Sequence, residues 1–286
     1  MTEADPTPEP APENDVRFAR LALAERVWTV GAVHGAAVAL HALHREMIRR
    51  FTFGDRVVYL GNLMGVGDRV HETIDEAVTF RRRLLARFAG SLEGSDIVYL
   101  RGAQEEMWSK LLQLQFATNP REILEWLLDH GVGPTIRAYG STLESARGHC
   151  RDGPVAITKW TNTLRKAIHR GPGQHQWLAS LKRAAFDDRR RLLFVHASVD
   201  PSRPLAMQGD SFWWDSGAFA EIVEPFEGFA RVVRGYDHRH RGLDLESPHT
   251  ATVDAGCGFG GPLAAVCFNA DGSVADQIEI GVELTQ

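Results

Sequence analysis

The residues able to do chemistry gather in six short strings. They are Gly31-Ala-Val-His-Gly35, Gly61-Asn-Leu-Met-Gly-Val-Gly67, Leu100-Arg-Gly-Ala-Gln-Glu-Glu-Met107, Phe194-Val-His-Ala-Ser-Val-Asp-Pro-Ser-Arg-Pro-Leu205, Val233-Arg-Gly-Tyr236 and Val253-Asp-Ala-Gly-Cys-Gly-Phe-Gly-Gly-Pro-Leu263. Two imidazoles, His34 and His196, can ligate a metal; the plainer reading is a hydrogen-bonded pair at the bottom of a cleft. Gln104 is an amide and cannot donate a proton as a general acid, a role worth roughly 10²–10⁴-fold in rate. Arg101 and Arg234 are the cations placed to grip an anion. His238 and His240, in Tyr236-Asp-His-Arg-His-Arg241, read as a solvated basic loop, with reach-back to a metal as the rival. Gly256–Gly261 has the glycines of a phosphate loop. It leads from one strand into another, however, so the helix N-terminus that cradles an anion is missing and a turn is expected. Cys257 has no assignable basic partner to make it a nucleophile. Trp213-Trp214 reads as packing, with a partner-binding aromatic patch as the rival.

Elements must hold these strings in place. Val27–Val30, Arg56–Leu60 and Ile97–Leu100 are short apolar runs, each ending in a glycine and each followed by a helical pattern. The helical patterns are Ala36–Arg50, with Leu40, Leu43 and Met47 on one face, and His71–Phe88. This alternation predicts βαβ units and a buried sheet whose strand-end loops build the site. A short helix is expected over Val16–Glu25. Residues 103–190 read as mostly helical, and their basic segments Arg165–Arg170 and Lys182–Arg191 as solvated helix faces. Strands return at Leu192–His196, Arg231–Arg234, Thr250–Val253, Leu263–Phe268 and Val274–Ile280. Residues 1–15, rich in Pro and Glu, are expected to be a disordered tail.

The 286 residues suit one large α/β domain. With 44% hydrophobic residues, 24% charged residues and a net charge of −5, the chain reads as a soluble globular protein without a general pull toward nucleic acid or membrane. No apolar run is long enough for a membrane span. The acidic N-terminus is not expected to act as a signal peptide, and three scattered cysteines are expected to make neither a disulfide framework nor a zinc site. A cytoplasmic location is expected.

In order and in strand-loop context, from about residue 27 to about residue 281, the six strings resemble those of the calcineurin-like metallophosphoesterases. Within these they are most similar to the bacterial serine/threonine protein phosphatase-like and dinucleoside tetraphosphatase-like group. The family strings read GDxHG, GDxxDRG, LRGNHEEM, VHAG followed by DPSRPL, a late GH, and a closing DxGxxxGGPL. The resemblance implies an α/β sandwich of mixed sheets flanked by helices. It also implies a single domain over 16–286 with a helical cap at about 103–190.

The resemblance also assigns roles, and this chain departs from most of them. Ala32 stands at an Asp metal ligand, whereas His34 keeps its letter. Asn62 stands at the Asp that bridges two metals. Gly65 and Val66 replace an Asp and a phosphate-gripping Arg. Ala103 replaces an Asn ligand, and Gln104 the proton-donating His. His196 is kept, and Tyr236 replaces the last His ligand. The family reaction needs water activated between two divalent cations about 3.5–4 Å apart. Ligands, anion clamp and acid are therefore all depleted. The expectation is a pseudophosphatase with no catalytic residue and no metal cofactor, binding a protein partner or small ligand. The alternative is an active metal-dependent phosphoesterase holding manganese or another divalent ion weakly through His34, Asn62, His196 and one of His238 or His240. A third reading is a phosphate or nucleotide sensor that uses Arg101 and Arg234.

Overall fold

The computed structural model describes residues 15–215 and 217–282. The expected disordered tail lies outside the described residues up to position 14. In chain order the strands are β1 (Phe18–Leu21), β2 (Arg26–Val30), β3 (Asp55–Tyr59), β4 (Ile97–Tyr99), β5 (Ala184–Asp187), β6 (Leu192–Val195), β7 (Arg231–Arg234), β8 (Thr250–Thr252), β9 (Leu263–Asn269) and β10 (Val274–Ile280). They form two five-stranded sheets, ordered β10-β9-β2-β3-β4 and β1-β5-β6-β7-β8. β2, β3 and β4 run parallel, as do β6, β7 and β8. Every residue of β3, β6 and β7 is buried, as expected of parallel strands covered on both faces.

The sheets pack face to face. Val27, Val58, Leu60, Val98 and Phe268 of the first sheet meet Leu21, Phe194, Val233 and Val253 of the second between them. The alternate residues of the first sheet, Trp28, Val30, Val57 and Tyr59, face outward onto helices. These are α1 (Ala37–Arg50), burying Leu40, Leu43 and Met47, and α2 (Val70–Arg87), burying Ile74, Ala77, Phe80 and Leu84. The i, i+3/i+4 spacing puts each set on one stripe, and each of the Leu, Ile, Met and Phe side chains contributes about 1.5–3 kcal/mol on burial. Six further helices extend the same apolar cluster: α3 (Ala103–Leu112), α4 (Pro120–Asp129), α5 (Gly133–Ala138), α6 (Leu143–Asp152), α7 (Pro154–Arg170) and α8 (Gln174–Ser180). The outer face of the second sheet is covered differently. Phe212, Trp213, Phe219, Phe226 and Phe229 come from a stretch that, among the described residues, holds only short 3-10 turns.

The mixed α/β sandwich with flanking helices is the architecture expected from the sequence. Two expectations are corrected. Val16–Glu25 is not a helix: Phe18–Leu21 is a strand, paired in parallel register with β5. The helical stretch ends at Ser180, and Ala184–Asp187 is a sheet strand rather than part of a basic helix face. Both strands are four residues long, too short to show a period, and tertiary pairing decides them. Trp213 is buried in the outer cluster of the second sheet, and Trp214 packs edge-on to Trp126.

Candidate functional site

The six strings meet at the carboxyl ends of the parallel strands of both sheets, where α/β folds build clefts. Backbone bonds stitch the ends together. Ala32 N donates to Gly235 O (2.9 Å), Gly31 N to Ala264 O (3.1 Å), and Gly235 N and Tyr236 N both to His196 O (3.0 Å). The loop after β2 turns through His34 and the loop after β3 through Asn62, both in the left-handed region (φ 51° and 54°). Val33 N and His34 N both donate to Asn62 O. At Gly61 a Cβ would lie 2.7 Å from His196 Nδ1, so only glycine lets the two sheets approach here.

Tyr236 is the hub of the site. His196 stacks on its ring at 5.3 Å between centroids, while His34 and His240 lie edge-on to it, each at 5.7 Å. His196 Nδ1 donates to the Leu60 carbonyl at 2.7 Å, which leaves Nε2 with a free lone pair. Asn62 Nδ2 approaches His34 Nε2 at 3.5 Å, a weak contact. His34 Nδ1, His196 Nε2 and His240 Nδ1 are buried without a hydrogen-bond partner among the described residues. Burial, together with the neighbouring His196 and His240, pushes His34 down to about 3; burial alone outweighs the Leu60 carbonyl and pushes His196 down to about 4. Both rings are neutral at pH 7. Burial raises the Tyr236 phenol to about 12, so it too is neutral.

The amides are spent inside the protein. Asn62 Oδ1 accepts from Gln104 N (2.9 Å) in the first turn of α3, and Gln104 Nε2 donates to His130 O (2.7 Å). Gln104 fills the space beside the loop after β3: a Cβ on Gly65 would fall 2.0 Å from its Oε1. Val66, at φ 59°, is a strained position for a β-branched residue, and its N–H donates to Gly131 O. Glu105, assigned no role from the sequence, organises this corner. Its buried carboxylate accepts from the backbone amides of Asn62, Met64 and Gly102 (2.9, 3.0 and 2.9 Å). Burial raises its pKa against the pull of those three amides.

The expected cations are engaged elsewhere. Arg234 is buried, pairing Asp215 (2.8 Å) and Asp237 (3.3 Å) and donating to Thr252 Oγ1 (2.9 Å). Arg101 pairs with Glu106 (3.1 Å). His238 is half-exposed, whereas His240 is not a solvated loop residue. It stacks on Phe259 at 3.9 Å, with Nδ1 3.6 Å from Asp254. Asp254 also went unassigned; it accepts from Asp237 N and Gly256 N, fixing the turn between β8 and β9. The Glu105 and Asp254 letters lie inside the quoted strings, but only the fold shows that they clamp loops. Cys257 is buried, donates to Val33 O, and has its thiol pushed up to about 12 by burial.

This donor set does not fit a two-metal centre. Ala32 and Ala103 offer no donor atom, the Asn62 carbonyl is occupied, and a neutral phenol is a poor ligand. Among the described residues no three His, Cys, Asp or Glu side chains converge on one point where an ion could sit.

No family model and no curated protein matches the chain. It is similar in structure to a putative diadenosine tetraphosphatase, at 18% identity over 92% of this chain and 97% of that chain, with a TM-score of 0.49. It is also similar to a protein serine/threonine phosphatase from Saccharomyces cerevisiae (13% identity, 94% and 84% covered, TM-score 0.48). A third is a metallophosphoesterase from Sphaerobacter thermophilus (17% identity, 91% and 89% covered, TM-score 0.45).

Proposed function

We propose that the chain is a calcineurin-like metallophosphoesterase scaffold released from catalysis, a pseudophosphatase that binds a protein partner or small ligand at its cleft. The observation that carries this reading is Tyr236. A neutral aromatic ring stands among three imidazoles, in contact with His34, His196 and His240, at a position where the sequence resemblance calls for a metal-binding His. Asn62 and Gln104, at the bridging and acid positions, support it, because Asn62 Oδ1 and Gln104 Nε2 are bonded to backbone atoms. No reaction step is assigned to the site.

A second reading has one observation behind it. The three imidazole nitrogens without a partner among the described residues and the Asp254 carboxylate near His240 are the groups an atypical divalent-metal phosphoesterase would recruit. One experiment separates the two: calorimetric titration with manganese alongside turnover of a generic phosphomonoester. The pseudophosphatase reading expects no tight site and no metal-dependent turnover. A tight manganese site with turnover that is lost in His196→Ala establishes the second reading instead.

A further inference from the structure

Helix α4 has two faces. Leu124 and Leu127 are buried in the helical layer. Ile123 and Trp126 face outward, 37% and 43% exposed. Residues three and four apart share one side of a helix, so Ile123, Trp126 and His130, just past the last turn, form one stripe. Trp126 stacks on His130 at 4.2 Å between centroids and meets Trp214 edge-on at 6.0 Å. Trp214 belongs to the stretch that covers the second sheet, so the aromatic patch joins the two layers. The patch also borders the cleft. His130 O accepts from Gln104 Nε2 and Gly131 O from Val66 N.

The charges beside the patch have a definite arrangement. Glu122 and Asp129 stand four residues before Trp126 and three after it, one turn away on either side, and both are exposed. Glu125, the third carboxylate of the helix, is held by Arg147 (2.7 Å). On the other side Lys110 Nζ lies 5.9 Å from the centre of the Trp214 ring. The protein thus seats one of its own cations on this aromatic pair. An indole face attracts a cation through its quadrupole, and carboxylates close by add to the attraction. Tryptophan is also the side chain most enriched among those that carry the binding energy of protein interfaces. Glu122 and Asp129 repel an acidic partner or an anionic lipid surface. A wholly apolar partner would strip water from both carboxylates without replacing it.

We infer that this patch is the docking surface for a basic segment of a partner protein, with an arginine or lysine side chain seated on the Trp126 indole between Glu122 and Asp129. The inference rests on the partner-binding part of the function proposed above, places the contact at the rim of the cleft, and does not depend on the loss of catalysis.

Fluorescence anisotropy of a labelled peptide of arginine and alanine, titrated with the full-length protein, tests this, with a peptide of glutamate and alanine as control. The basic peptide should bind, the acidic one should not, and added salt should weaken the complex. Trp126→Ala should weaken it by about tenfold or more. Glu122→Gln together with Asp129→Asn should weaken it too. Lys110→Ala removes a competing cation and should tighten it. These four positions are exposed, so circular dichroism and melting temperature should stay at wild-type values. Equal affinity in wild type and Trp126→Ala would leave only a general attraction to an acidic chain and overturn the inference. Loss of binding in Lys110→Ala, tighter binding of the acidic peptide, or binding of phosphatidylserine vesicles in place of the basic peptide would overturn it as well. A tight manganese site with phosphomonoester turnover would overturn the function proposed above and leave this surface standing. A wild type that binds neither the basic peptide nor manganese overturns this inference alone.

Discussion

At the residue scale, the site combines buried neutral imidazoles and a phenol with amides and carboxylates that are bonded to backbone atoms of the surrounding loops. Introducing the letters of the family that the sequence resembles tests the proposed reading. Ala32→Asp, Asn62→Asp, Ala103→Asn and Tyr236→His together should bind manganese by calorimetry. Adding Gln104→His and Val66→Arg should give the first variant with measurable phosphomonoester turnover. Asn62→Asp alone should destabilise the protein by about 1–3 kcal/mol in chemical denaturation, because a buried carboxylate replaces an amide beside the Glu105 carboxylate. Manganese should rescue it within the set. The buried imidazoles predict a pH dependence. His34 and His196 have folded values of about 3 and 4, below the ordinary 6.5, so folding keeps them neutral. Their contribution to stability is complete above pH 6.5. It falls as pH drops toward 4, by about 1.4 kcal/mol per pH unit for each ring. His196→Gln should flatten the fall in unfolding free energy between pH 6.5 and 4.5 relative to wild type; parallel curves would refute this.

At the element scale, the start of α3 is the structural hinge of the cleft. Its Glu105 ties the end of β4 to the loop after β3, and its Gln104 ties that loop to the turn before α5. Glu105→Gln keeps one acceptor and loses the other, and should cost about 2 kcal/mol in denaturant unfolding, with little loss of helix signal. The long elements were legible in the sequence. α1 and α2 carry clear apolar stripes, and β2, β3 and β4 are apolar runs that end in glycine. β1 and β5 were not legible, since four residues around Phe18 or Phe186 carry no period; β1 becomes a strand by pairing with β5, and β5 by lying between β1 and β6. The site was legible as a set of positions, because each string sits at a strand end. Its interior was not: His240 reaches the cleft only because its backbone adopts φ 48° and Phe259 offers a face to stack on. The roles of Glu105 and Asp254 depend on amides more than ten residues away in sequence, which no local pattern records.

At the scale of the whole molecule, the proposed reading expects a fold that does not depend on a bound ion. A metal that binds the folded state alone adds about 2.7 kcal/mol at a hundredfold excess over its Kd. Chelator should therefore leave the melting temperature of the wild type unchanged while lowering that of the manganese-loaded four-residue variant. A drop in the wild type would point to the metal-binding reading. The two sheets are also clothed unequally. Helices back the first, whereas aromatic side chains hung on short turns between β6 and β7 back the second. Helices hold their own backbone bonds, but an irregular stretch depends on its anchors. Opening should therefore begin on that side, as a partial unfolding well below the global free energy. Limited proteolysis of the native protein should nick first between residues 200 and 228, where Met207 and Val223 are 70% and 77% exposed. The helical side would stay intact through that first cut, so the molecule would wear out from one face.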